Sequence, residues 1–320
     1  MFSLSDGIDT NLKEYATDTQ AQYIDFINEH KNVTKAAKHF GVTRQAIQTT
    51  LRGLAARAAG EGYSLDKAKN IKHFIIPDVQ AKHDLDFSYL KSTGNYIVAK
   101  KPDVIICIGD FADMESLSTY DVGLKSFEGR AYKKDIWAAR EAMDALLTPL
   151  YHYNKQAKLN GTPEYKPRMV LTLGNHENRI DRAINADRKL EGLISVDDLP
   201  YQDWEVIPFL EVIVIDGIAY SHYFTSGVMG RPITTAQAIL TKKHMSCFAG
   251  HQQGRQIAYG RRADGKEMTA IIAGSYYEHD EAYLGAQGNL HWRGLFVLHN
   301  VHDGAFDEMA VPLSYIKENY

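Results

Sequence analysis

The chain has 320 residues, 44% of them hydrophobic, with 36 Lys and Arg against 40 Asp and Glu and a formal net charge of −4. That is enough apolar material for a full core and more than one domain. The charge argues against a globally basic nucleic-acid binder while leaving local patches open. No apolar run approaches the roughly 20 residues of a membrane span. The opening MFSLSDGIDTNLKEY has neither the basic nor the apolar region of a secretory signal, so a cytoplasmic protein without a membrane partner is expected.

In chain order, the first elements are helical. Thr19 to Glu29, with Tyr23, Ile24, Phe26 and Ile27 on one side, is followed by Val33 to Phe40 and by Thr43 to Ala59. Around Gly41, Ala36 and Ala37 let two helices approach, the glycine can take positive φ, and Thr43 is an N-cap for the next helix. Val42, Ile47 and Leu51 are expected to bury that helix. Thr34 to Ile47 resembles a helix-turn-helix, in which the start of the second helix enters the major groove; Thr43, Arg44, Gln45 and Gln48 would then face bases or phosphates of DNA. The same pattern also suits a trihelical docking or oligomerisation module. Two glycines, Gly60 and Gly62, and the polar stretch Ser64 to Asn70 place a boundary between residues 60 and 70, giving a small all-α DNA-binding domain at 1–65 and a larger domain at 66–320.

Downstream, short Val/Ile-rich runs alternate with helical or loop segments, the pattern of an α/β domain. Three runs end in polar residues of ligand type. Lys72 to Pro77 delivers Asp78 and, beyond Val79, Gln80; Val104 to Ile108 delivers Gly109-Asp110, with Asp113 three residues on; Met169 to Leu173 delivers Gly174-Asn175-His176-Glu177. Strand ends converging on one sheet edge are where α/β folds build sites. Gly109, Gly174 and Gly250 each precede a polar residue, as expected where the backbone turns sharply. Further on come His222 and Gly250-His251-Gln252-Gln253. Between these motifs, Met114 to Tyr132 is expected to overhang the site as a loop. Lys133 to Tyr153 should form one amphipathic helix burying Ile136, Trp137, Met143, Leu146, Leu147 and Leu150. Arg130, Arg179 and Arg182 lie near the motifs and could clamp a phosphate, Arg179 foremost; an ion pair of Arg182 with Glu177 and Asp181 is the alternative for that residue. Gln252 to Lys266 reads as a hairpin turning at Asp264-Gly265 with basic arms. Tyr276, Tyr277, Tyr283, His291, Trp292 and Arg293 interleave rings with charge, as a nucleic-acid strand would require, although rings near strand ends also pack in cores. Cys107 and Cys247 each sit inside an apolar run and are expected to be buried thiols.

The ordered set of motifs resembles the calcineurin-like metallophosphoesterase superfamily, whose pattern reads DxH, GDxxD, GNH(E/D), a lone histidine, then GHxH; the similarity covers about residue 70 to the C-terminus. It implies a β-sandwich flanked by helices. It also implies that Asp110 bridges two metal ions, that Asn175, His222 and His251 complete one site with it, and that Asp78, Gln80 and Gln253 belong to the other. His176 would then protonate the leaving oxygen or steady the transition state, with Asp113 in support. Gln80 and Gln253 depart from the pattern, which has histidine at both positions. Amide oxygens suit hard ions, so Mn²⁺ or Mg²⁺ is expected over Zn²⁺. Either the altered site holds a weakly bound ion that arrives with substrate, or one tight ion suffices. His83 could replace a lost ligand or be a loop histidine. The function implied is a metal-dependent phosphodiesterase or nuclease acting on DNA by attack of activated water on phosphorus. A phosphomonoesterase is the runner-up, against which Met114-Glu115-Ser116 replaces the Arg-Gly pair that follows GDxxD in protein phosphatases. A silenced DNA-binding protein is the third reading.

Overall fold

A computed structural model describes residues 8, 10–60, 71–120, 122–123, 125–281 and 284–320. The chain divides into two compact units, Met1–Lys69 and Asn70–Tyr320. Residues 61–70, on which the expected boundary falls, lie outside the described residues, as does Tyr283.

The first unit carries α1 (Asp18–His30), α2 (Val33–His39) and α3 (Arg44–Gly60). α1 begins where it does because Thr17 and Gln20 form a reciprocal capping box, each side chain accepting from the other's backbone N–H. Thr43 Oγ1 accepts from Ala46 N at 3.1 Å and so caps α3, and Gly41 takes φ +68° in the turn before it. Ile24, Ile27, Ala36, Ile47 and Leu54 pack into one small core. Val42 does not join them: it is 36% exposed, because the turn at Gly41 points it outward before α3 starts.

The second unit contains β1 (His73–Ile76), α4 (Ser88–Lys100), β2 (Val104–Cys107), α5 (Tyr132–Leu159), β3 (Arg168–Thr172), α6 (Arg179–Ala186), β4 (Glu205–Ile207), β5 (Ile213–Ile215), β6 (Ile218–Tyr220), the short β7 (Thr225–Ser226) and β8 (Arg231–Pro232), α7 (Ala236–Lys243), β9 (Cys247–Ala249), β10 (Gln256–Arg261), β11 (Glu267–Ile272), α8 (Gly285–Gly288), β12 (Gly294–His302), β13 (Ala305–Pro312) and α9 (Leu313–Asn319). One sheet runs β13-β12-β1-β2-β3-β4 and another β10-β11-β9-β6-β5. β1 to β4 are mutually parallel, and in the other sheet β6, β9 and β11 are parallel. β1 and β2 are buried at every residue, the signature of central parallel strands covered on both faces.

The two sheets face each other across Ile75, Ile106, Val170, Tyr220, Phe248 and Ile271. α4, α5 and α9 cover the outer face of the first sheet, and α7 that of the second. The mixed α/β class and the small N-terminal helical region read from the sequence are both present. α5 is longer than expected and runs through Pro149. Met143, Leu146, Leu147 and Leu150 are buried on it and Ile136 is partly so, but Trp137 is 58% exposed, one position off the packed stripe. Both cysteines are free and buried. No described helix is long and apolar enough to cross a membrane.

Candidate metal centre

Three parallel strands of one sheet and two of the other end around one point. In register, Ile76 lies beside Cys107 and Cys107 beside Leu171, so β1, β2 and β3 stop level and Asp78, Asp110 and Asn175 follow within a few residues. β6 and β9 deliver His222 and His251 from the other side. One ligand atom from each of Asp110, His222 and His251 lies within 4.8 Å of the others.

The loops are held by strained backbone and close approach rather than by glycine turns alone. Gly109 takes φ +92°, but the left-handed conformation also falls on Gln80 (φ 47°), Asp110 (φ 49°) and His251 (φ 67°), non-glycine residues that each spend about 1–3 kcal/mol to hold it. Gly174 and Gly250 have no positive φ. They are needed for space: a Cβ on Gly174 would strike the Asp110 carboxylate, and one on Gly250 would lie 2.5 Å from Asp78 Oδ1. Glu177 proves to be the buried fastener between loops. Its carboxylate accepts from Asp110 N (3.0 Å), Ala112 N (3.0 Å), Gly174 N (2.9 Å) and Tyr201 Oη (3.0 Å). The loop after β1 is tied to the same segment, since Val79 N and Gln80 N both donate to Asp110 O.

The donor set fits a cation. His222 Nδ1 is 2.9 Å from Ile108 O, a carbonyl that only accepts, so the ring proton sits on Nδ1. Its Nε2 faces Asn175 Oδ1 at 3.0 Å and Asp110 Oδ2 at 3.2 Å, so a ring nitrogen and two oxygen acceptors converge on one point. Burial alone would lower the His222 pKa, but the Asp110 charge overrides it and pushes it up to about 9, so this point favours positive charge, either a proton on Nε2 or a cation that displaces it. Burial and neighbouring His222 lower His251 to about 4, leaving it a neutral imidazole able to ligate. Asp78 is fully buried, accepts from His251 N at 3.2 Å through Oδ1, and has no partner for Oδ2. Burial, opposed by His222, raises its carboxyl to about 7. Gln80 is buried with neither side-chain atom hydrogen-bonded, an expense of about 1–3 kcal/mol per group unless something coordinates it. Gln253 lines the same cleft and accepts from Tyr277 Oη at 2.9 Å.

His176 stands beside this cluster, its backbone N donating to Asp110 Oδ1 at 2.9 Å. Asp113 Oδ1 lies 2.8 Å from its Nδ1 and 2.9 Å from Arg179 Nη1, while Arg179 Nη2 lies 3.1 Å from His176 Nε2. Burial would raise Asp113, yet His176, Lys82 and Arg179 hold it well below the usual carboxylate range. Burial would lower His176, and Asp110 with Asp113 lifts it above its ordinary value instead.

These residues open onto a cleft of about 810 Å³. The loop from Met114 onward does line it, through Glu115, Ser118, Tyr120 and Arg130. Residues the sequence did not single out contribute as well: Lys82 bridges Asp113 (3.2 Å) and Glu281 (2.5 Å), and the latter lies 199 positions away in the chain. His83 is not part of the site and pairs with Asp84 in a loop. Arg130 pairs with Glu115, Arg182 lies exposed on α6, and Glu177 has other partners than Arg182. The expected nucleic-acid strip is not assembled as read. Tyr276 and Tyr277 are fully buried, and Arg261, Arg262, Lys266 and Arg293 are each paired with a carboxylate. In the first unit Thr43, Arg44 and Gln45 are exposed and Gln48 is half-buried at the start of α3. No protein-family model matches the chain, and no curated protein matches it.

Proposed function

We propose that the chain is a metal-dependent phosphodiesterase of the calcineurin-like metallophosphoesterase type, acting on DNA that its N-terminal helix-turn-helix helps to bind. The observation that carries this reading is the meeting of Asp110, Asn175, His222 and His251 at strand ends of two facing sheets, with His176 alongside. Asp110, Asn175, His222 and His251 would hold one divalent ion, and Asp78, Gln80 and Gln253 offer oxygen donors for a second, for which Mn²⁺ or Mg²⁺ suits better than Zn²⁺. When bound, such ions neutralise phosphoryl oxygens and acidify water.

The chain's own residues do the rest. Asp110 accepts the His176 amide, which fixes the imidazole over the cleft. Asp113 orients that ring through Nδ1, leaving Nε2 as the atom that exchanges a proton with a leaving oxygen. Arg179, anchored on Asp113, presents its guanidinium beside Nε2, where a phosphoryl oxygen can be gripped. Lys82, held between Asp113 and Glu281, adds a second cation to the cleft.

The test is hydrolysis by the full chain of duplex DNA, single-stranded DNA, bis(p-nitrophenyl) phosphate and p-nitrophenyl phosphate, with Mn²⁺, Mg²⁺ or EDTA. Mn²⁺-dependent cleavage of DNA and the diester, abolished by Asp110→Asn, is the expected result. Turnover of the monoester alone would reassign the site to a phosphomonoesterase, and tight DNA binding with no turnover would make it a binding protein.

A further inference from the structure

From Gly217 to Ala263 the sequence holds no aspartate or glutamate, although the whole chain has 40. Six cations lie in that stretch: Arg231, Lys242, Lys243, Arg255, Arg261 and Arg262. Two are paired with carboxylates, Arg261 with Glu267 and Arg262 with Asp264 at 3.1 Å each, and Arg255 lies apart from the rest over the Trp292 ring at 4.4 Å. The other three gather on one arm, made of β7, β8 and α7. Arg231 is registered opposite Ser226 across the hairpin, Lys242 Nζ donates to Ser226 Oγ, and Lys243 lies over the Phe224 ring at 5.9 Å. Among the described residues none of these three cations has a carboxylate partner.

The tip of the arm is apolar. Gly227 and Gly230, both at positive φ, bracket Val228, which is fully exposed, and Met229, which is 74% exposed. Two bare apolar side chains at a hairpin tip, flanked by cations without a carboxylate partner, match how proteins wedge between base steps while neutralising the adjoining phosphates. The root of the arm is the metal centre. β7 starts three residues after His222, and α7 leads into β9, which delivers His251. Tyr223 packs on the His251 ring with centroids 4.8 Å apart, and Gln256 accepts from Ala236 N at 3.1 Å and donates to Thr234 O, binding the arm to the segment just past His251.

We infer that the arm spanning 225–243 is a nucleic-acid clamp. Arg231, Lys242 and Lys243 neutralise phosphates of a strand that crosses the metal centre, and Val228 and Met229 lodge against its bases. This rests on the proposed action on DNA and extends it by naming the surface that holds the strand. Two full-length variants test it: Arg231→Ala/Lys242→Ala/Lys243→Ala, and Val228→Ser/Met229→Ser. Each is compared with the native chain, with and without Arg44→Ala in the N-terminal unit.

Both variants are expected to raise KM for DNA about tenfold, some 1.4 kcal/mol. The triple variant is expected to flatten the dependence of log affinity on log salt by about 2 to 3. Turnover of bis(p-nitrophenyl) phosphate stays unchanged, which also shows that both variants fold. Unchanged DNA KM and salt slope, alongside native activity on DNA, would overturn the clamp. If the native chain cleaves no DNA, the proposed activity fails separately. The clamp is then decided by fluorescence anisotropy of uncleaved DNA in EDTA, where a native salt slope in the triple variant overturns it. Loss of binding to phosphatidylserine vesicles with DNA binding intact would assign the arm to lipid and equally overturn it.

Discussion

His73 shows how one buried side chain sets a pH limit on the fold. It is fully buried on β1, with Nε2 2.9 Å from Asp216 Oδ2 and Nδ1 2.7 Å from Tyr220 Oη. The carboxylate can only accept, so Nε2–H donates to Asp216 and Nδ1 accepts from the tyrosine, a fully satisfied neutral imidazole. Burial, outweighing Asp216, lowers its pKa below 6.5. Below that value the unfolded chain binds a proton that the folded chain does not, so the contribution of His73 is intact above pH 6.5 and is lost as pH falls, by up to about 1.4 kcal/mol per pH unit. Urea unfolding of the native chain and of His73→Phe at pH 7.5 and 5.5 should therefore show the smaller pH dependence in the variant; equal dependence would mean that His73 is not held neutral. At the proposed second metal site the donors would be oxygen atoms of Gln80 and Gln253. Replacing both by histidine should tighten the weaker Mn²⁺ binding step about tenfold or more in calorimetric titration while leaving the tighter step as it was.

At the scale of elements, α4 and α5 are locked together by a missing side chain. A Cβ on Gly94 would collide with the backbone carbonyl of Leu146 and come within 2.8 Å of Pro149 Cγ. Neither a carbonyl in a helix nor a proline ring can swing aside, so Gly94→Ala is expected to cost about 1–3 kcal/mol in urea unfolding despite the better helix propensity of alanine. Nothing near Gly94 in the sequence announces this, because its partners lie on the next helix. The strands that lead into the candidate ligands were legible for the opposite reason: a parallel strand buried on both faces is written as an uninterrupted apolar run, and the residues that follow it, as at Ile108-Gly109-Asp110, are the ones brought to the sheet edge. Tyr276 and Tyr277 misled because their hydroxyl partners, Thr93 and Gln253, are distant in sequence, so two core tyrosines looked like stacking faces. Glu177 was visible as a motif letter, but its role as acceptor for three amides from two loops depends on strand order that only the folded sheet reveals. Trp137 was misassigned by one position, the margin within which a helical stripe fades at its edge, and Val42 lies in the turn before α3 rather than on its buried face.

For the whole molecule, each unit has apolar clusters of its own among the described residues. The apolar cluster of the first draws only on residues from Ile8 to Ala58, and the clusters around the two sheets draw only on residues from Ile71 onward. Every candidate ligand, together with Glu177, Arg179 and Lys82, belongs to the second unit, whereas Thr43, Arg44 and Gln45 belong to the first. A chain of residues 70–320 is therefore expected to fold, to bind Mn²⁺ with native affinity and to hydrolyse bis(p-nitrophenyl) phosphate at the native rate. It should bind DNA more weakly and with a shallower salt dependence if the phosphate contacts proposed for α3 are lost with the first unit. The isolated first unit is near the lower size limit for a self-sufficient core and should unfold at lower urea concentration than the second. Anisotropy titrations of DNA at several salt concentrations, run in parallel on the full chain and on 70–320, separate the two contributions: identical slopes would remove the helix-turn-helix from DNA binding and return it to the role of a docking or oligomerisation module.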